Sequence, residues 1–153
     1  MHAATDEQTD PIDGRLPVRG DTAACREVRM PRPVHFEMNF QDVEQAKQFY
    51  GKVFGWTFQK FGDDSMPYWM TTTGPDGEPG INGGLMARQP GMQAGTVNTM
   101  GVESVDKAVE SIKSAGGSII MDKMAVPGMG WVAYATDLEG TIFGVFQMDS
   151  AAA

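Results

Sequence analysis

From Val34 the chain alternates in character: Val34, Phe36, Met38 and Phe40 are apolar, and His35, Glu37 and Asn39 between them are polar. Successive side chains of a strand point to opposite faces, so this period of two predicts a strand with an apolar face toward a helix and a polar face toward a cleft. Asp42 then stands as a helix N-cap with Gln45 at the reach-back position, and Val43, Ala46, Tyr50 and Val53 mark one face until Gly55 ends the helix. The runs WTFQKF, YWMTTT and INGGLMA read as three further strands. GPDGEPG, between the last two, has the Pro, Asp and Gly chemistry of a turn.

The same order recurs. TVNTMGV reads as a strand, Ser104 caps a helix with Val105, Ala108, Ile112 and Ala115 on one face, and Gly116-Gly117 stops it. SIIMDK, WVAYAT and TIFGVFQM complete a second set of strands. Laid over each other at an offset of 62 residues, the halves pair Trp69 with Trp131, Met38 with Met100, Val43 with Val105, Ala46 with Ala108, Gly55 with Gly117 and Met86 with Met148. The pattern predicts an α+β domain over 30–149, made of two tandem βαβββ modules, 31–90 and 95–149. Two small sheets, each with one helix on its convex face, would enclose a concave cleft.

Residues 1–29 mix charges, Pro and Gly with scattered apolar residues and show neither period, so they read as a disordered tail. They contain no continuous apolar stretch of the kind a secretory signal requires, and Met1 and Met30 both stand as possible starts of translation. At 153 residues, one domain is expected. A formal charge of -8 leaves no basic footprint for a phosphate backbone, which argues against nucleic acid as a partner. No apolar run approaches membrane-spanning length. Cys25 is the single cysteine, which excludes an intramolecular disulfide or a multi-cysteine metal site and fits a reducing, cytoplasmic setting.

VHFEMNFQDVEQAKQFYGKVFGW, with its strand, acidic helix cap, Phe-Tyr pair and Phe-Gly, resembles the opening of glyoxalase I, bleomycin resistance and related proteins of the vicinal oxygen chelate superfamily. ATDLEGTIFGVFQ resembles their closing strand, with its Asp-x-Glu-Gly turn, and the likeness extends over residues 31–149. The resemblance implies the glyoxalase/bleomycin resistance/dioxygenase fold and, in metal-using members, four ligand positions, from the first and last strands of each module. His35 lies fourteen residues before Phe49, as the family's first-strand histidine lies before its Phe-Tyr pair, and the internal offset places Val97 opposite it. The closing-strand glutamate position is Gly144, and its first-module counterpart is Asn82. One good ligand, one neutral amide oxygen and two residues without a ligating side chain fall short of a zinc, nickel, manganese or iron site. No metal cofactor is therefore expected. The alternative, a divalent-metal lyase, isomerase or dioxygenase, would need ligands from elsewhere, with Glu37 the nearest candidate.

His35 and Glu37 are the candidate catalytic pair, two residues apart on one strand face. His35 beside a carboxylate can act as a general base or polarise a carbonyl, and the pair can equally form a hydrogen-bonded polar rim with no reaction. The expected ligand-binding set is His35, Glu37, Asn39, Asn82, Met86, Trp131 and Met148. The twelve methionines supply flexible thioethers that either fill core gaps or adapt to apolar ligands. Of Tyr68, Trp69, Trp131 and Tyr134, alternation allows only half to enter the cleft. The glycines of GINGGLM and PGMGW match no phosphate loop and read as turn or bulge positions, and Asp76 with Glu78 as a solvated turn rather than a calcium loop. The expected function is binding of a small, largely apolar molecule in the cleft. A homodimer is expected as well, with the cleft either within one chain or shared across two. The remaining class is an interaction module using its sheet surface.

Overall fold

The computed structural model describes residues 31–62 and 67–153. The expected disordered tail, 1–29, lies outside them. In chain order the elements are β1 (Arg32–Phe40), α1 (Val43–Phe54), β2 (Thr57–Phe61), β3 (Tyr68–Thr72), β4 (Gly83–Ala87), β5 (Thr96–Gly101), α2 (Val105–Ser114), β6 (Ser118–Val126), β7 (Gly130–Thr136) and β8 (Ile142–Met148). The caps form as the sequence requires. Asp42 accepts from the Gln45 backbone N–H and Ser104 from that of Lys107, each satisfying a helix-end donor worth about 1 kcal/mol. Gly55 closes α1 in the left-handed conformation, φ 72°, that only glycine adopts without cost.

The eight strands form one mixed sheet in the order β2-β3-β4-β1-β5-β8-β7-β6. This corrects the expectation of two separate small sheets: β1 and β5 pair antiparallel and fuse the modules edge to edge. The order reads the same from both ends when each strand is replaced by its counterpart in the other module. Phe36 and Asn98, equivalent under the 62-residue offset, face each other in that pairing. The local symmetry between modules therefore runs through this residue pair. Within each module the first strand pairs parallel with the last, β1 with β4 and β5 with β8.

The apolar positions form two cores, one per helix. Val43, Ala46 and Leu85 are buried with Met38, Phe40, Tyr50, Phe58 and Trp69 packed around them, and Val105, Ala133 and Val145 with Ala108, Val109, Ile112, Trp131 and Phe143. Trp69 and Trp131 thus fill equivalent places between sheet and helix. Three local expectations change. Val53 is 52% exposed, because the buried stripe of α1 narrows after Tyr50. Val34 leaves the helix-facing set, since the register shifts between Pro33 and His35 and its side chain lines the cleft instead. Strand β6 runs three residues beyond the predicted SIIMDK, to Val126.

Candidate functional site

The face of the sheet opposite the helices lines a cleft of about 1370 Å³ to which both modules of one chain contribute. Alternation selects most of its walls: Met70 from β3, Met86 from β4, Val97 and Thr99 from β5, Val132 from β7, and Phe146 and Met148 from β8, while register shifts in β6 bring in both Met121 and Met124. Met92 and Met129 join them from loops, so seven of the twelve methionines line this single surface. Thioethers supply soft, adaptable apolar contact.

A polar cluster sits in this apolar surround. Glu37 on the central strand β1 accepts hydrogen bonds from two phenols, Tyr68 Oη to Oε1 at 3.3 Å and Tyr134 Oη to Oε2 at 2.5 Å. Tyr68 Oη also lies 2.7 Å from His35 Nε2. The direction of that bond follows the imidazole tautomer: with Tyr68 donating to Glu37, Nε2 carries the proton and donates to Tyr68. The two tyrosines come from opposite modules, β3 and β7, and converge on one carboxylate.

One glycine makes room for this, and a second lies close by. Gly84 lies between Glu37 on β1 and Met70 on β3 in register, and a Cβ there would collide with the hydroxyl end of Tyr68. Gly144 lies between Thr99 on β5 and Tyr134 on β7, and a Cβ there would press on the Thr99 side chain. The position from which metal-using relatives are expected to extend a glutamate is thus tightly enclosed backbone, one strand inside Tyr134.

Burial shapes the protonation states. Desolvation holds His35 below its ordinary value, against the opposing pull of Glu37, so the imidazole is neutral at neutral pH. Both tyrosines are pushed far above the ordinary phenol value, first by burial and then by the Glu37 charge and its hydrogen bonds. They remain donors across the working pH range.

Of the expected ligand-binding residues, His35, Glu37, Asn39, Met86 and Met148 line the cleft. Asn39 is buried and committed to structure: its Oδ1 accepts from Arg88 Nε at 2.8 Å and its amide donates to the Gly95 carbonyl. Asn82 and Trp131 lie outside the cleft lining. Asn82 Oδ1 instead accepts from the Thr73 backbone N–H at 3.0 Å, closing the GPDGEPG turn before β4 begins. Trp131 points to the helix side of β7 and donates its indole N–H to Asp149. Tyr68 and Tyr134 are the two of the four candidate aromatics that enter the cleft, and neither was in the expected ligand-binding set. The alternation placing Tyr134 opposite in phase to Trp131 was the available signal.

The residues here do not fit a divalent metal. Among the described residues no three His, Cys, Asp or Glu side chains gather into a cluster able to hold an ion. Of the four positions implied by the resemblance, Asn82 is turned away, Val97 and Gly144 carry no donor, and His35 Nε2 is engaged by Tyr68.

Residues 32–74 match the family described as bleomycin resistance protein-like, N-terminal. A Mycobacterium bovis protein named "Putative glyoxylase CFP32" is 26% identical over 134 residues, covering 79% of this chain and 47% of that protein. The anthracycline biosynthesis protein DnrV of Streptomyces peucetius is 27% identical over 134 residues, covering 75% of this chain and 46% of its own length. The chain therefore spans about half the length of the curated relatives it matches. A Streptomyces coelicolor methylmalonyl-CoA epimerase variant, solved in complex with 2-nitronate-propionyl-CoA, shares the fold at a TM-score of 0.58 and 15% identity, covering 80% of this chain and 97% of the other. The matched first module, the two-module architecture and the shared fold all point to the vicinal oxygen chelate superfamily.

Proposed function

We propose that the protein binds a small, largely apolar molecule in the cleft between its modules, without a metal, and orients it through one polar group at the Glu37 cluster. The observation that carries this reading is the contrast within the cleft: a methionine-rich apolar wall around one carboxylate held by two phenols. Pockets of this kind take affinity from apolar burial and orientation from a few placed polar groups. The relative named for anthracycline biosynthesis makes flat polycyclic compounds a reasonable first probe class.

The test is thermal stabilisation by a panel of flat apolar compounds, each bearing one polar group. A ligand at about 100 times its Kd stabilises the folded state by about 2.7 kcal/mol, a readable rise in Tm. Met124→Lys places a charge on the apolar wall at a position 41% exposed, and should abolish the shift. The reading fails if no compound shifts the wild type, or if Met124→Lys responds unchanged.

One observation favours chemistry on the bound molecule as a second reading: the continuous hydrogen-bond chain His35–Tyr68–Glu37 can pass a proton between imidazole and carboxylate. The reaction class would be proton exchange at an acidic C–H of the ligand. Deuterium uptake from solvent into a bound ligand, lost in Glu37→Gln, would support it; wild-type exchange no faster than in buffer would end it.

A further inference from the structure

Among the described residues, the Glu37 carboxylate has no counter-charge beside it. Its two hydrogen-bond partners are neutral phenols, and the neighbouring imidazole is neutral at neutral pH. Among the described residues, the charged side chains lining the cleft besides Glu37 are Arg32 and Glu103, both exposed. Arg32 begins five residues earlier on β1, roughly 16 Å away at about 3.3 Å per residue. Arg88, the nearest arginine in the first module's sheet, is engaged by Asn39. No lysine lines the cleft among the described residues.

A carboxylate offers about four acceptor sites, and the two phenols use two of them. The free sites belong to a group set in apolar surroundings, where an unpaired charge is costly and a paired one gains more than in open water.

We propose that the ligand is an apolar cation: a flat or bulky hydrocarbon body seated on the methionine wall, carrying a protonated amine that donates to Glu37. This rests on the binding function proposed above and names its ligand class. Anionic molecules, including acyl esters with phosphate groups, are disfavoured here because among the described residues no cation stands near the centre of the cleft. The tyrosines act as positioning residues, holding both carboxylate oxygens so that the remaining lone pairs face the incoming amine.

The test compares three probes of one shape on the full chain by calorimetry: aminoacridine, protonated at neutral pH, its parent acridine, uncharged there, and acridine carboxylate, an anion. Wild type should bind the cation about tenfold tighter than the neutral parent and the anion weakest, the scale expected of a hydrogen bond to a charged group. The preference should survive at about 0.5 M salt, where screening acts over roughly 4 Å, because the contact is direct rather than an effect of the overall charge of -8. In Glu37→Gln the cation and neutral probe should bind alike. The proposal is overturned if wild type binds the neutral probe as tightly as the cation, if salt erases the preference, or if Glu37→Gln retains it. The wild-type ranking decides alone should that variant not fold. Binding of all three probes without charge preference removes only the amine; binding of none removes the cleft reading with it.

Discussion

Tyr134 and Glu37, 97 positions apart in the chain, meet at 2.5 Å across the junction of the two modules. The contact spans two intervening strands, β8 and β5, and ties β7 of the second module to β1 of the first. Together with the shared β1–β5 ladder it couples the halves through the cleft floor as well as through backbone pairing. Tyr134→Phe keeps the ring and removes only the hydroxyl, leaving Glu37 Oε2 without its donor. The variant should lose about 1–2 kcal/mol of stability. Urea denaturation measures this, and a loss under about 0.3 kcal/mol would mean that solvent replaces the phenol without cost.

Gly84 is predicted to be intolerant of a side chain. A Cβ there occupies the space of the Tyr68 hydroxyl end, so Gly84→Ala must displace Tyr68 from both Glu37 and His35. A cost of about 1–3 kcal/mol is expected from the overpacking. Most of it should vanish in a Tyr68→Ala background. Additive effects in that double-mutant cycle would show that the two positions do not compete for space.

The depressed His35 value makes stability depend on pH in one direction. The folded protein holds the imidazole neutral, while the unfolded chain protonates near the ordinary value of 6.5. Between the two values the unfolded state binds more protons, so stability is fully present above about pH 6.5 and is lost as pH falls through the folded value. Asp137 and Asp149 are held below 3.8 by backbone hydrogen bonds and act in a more acidic window. Urea midpoints at about pH 7.5 and 5.5 should therefore fall in the wild type and fall less in His35→Gln. Equal falls in both proteins would assign the effect to other groups.

A homodimer is the expected assembly. The sheet ends in β2 and β6, whose outer edges pair with no described strand, and α1 presents Phe49, Val53 and Phe54 more than half exposed. Open strand edges and adjacent exposed aromatics both favour a covering partner. Sedimentation at about 10–50 μM should find the dimer, a range that captures weak association. Monomer alone at those concentrations would remove the expectation.

Much of this architecture was legible because local rules dominate it. The period of two in VHFEMNF, the caps at Asp42 and Ser104 and the stop at Gly55 each depend on residues within one turn or one strand. The 62-residue offset extended those rules to the relation between modules, and the pairing of Phe36 with Asn98 is its geometric consequence. The cleft chemistry depended on longer reach. Alternation separates Trp131 from Tyr134 without saying which face meets the helix, and only α2 packing on Trp131 decides it. Asn82 falls on the cleft phase by count, yet β4 begins at Gly83 and leaves its side chain to the preceding turn. Tyr68 reaches Glu37 over a residue with no side chain, a relation that no spacing within a strand encodes.

Metal content is the last prediction, and it follows from where the donors are spent. His35 Nε2 lies against Tyr68, both Glu37 oxygens accept from phenols, Asn82 closes a turn, and Val97 and Gly144 have nothing to offer. An ion entering the cleft would find the remaining lone pairs of one carboxylate and one imidazole nitrogen already engaged by Tyr68, at most two protein ligands, where stable transition-metal sites supply three or four. The purified protein should accordingly retain well under about 0.1 equivalent of zinc, nickel, manganese or iron after dialysis against a mild chelator. His35→Ala should leave that content unchanged while altering ligand affinity, since its ring stands in the cleft wall. Elemental analysis finding about one ion per chain in the wild type and none in His35→Ala would overturn this reading. Glu37→Gln would then be the next variant to assay, because Glu37 is the carboxylate beside His35 among the described residues and would have to be the second ligand.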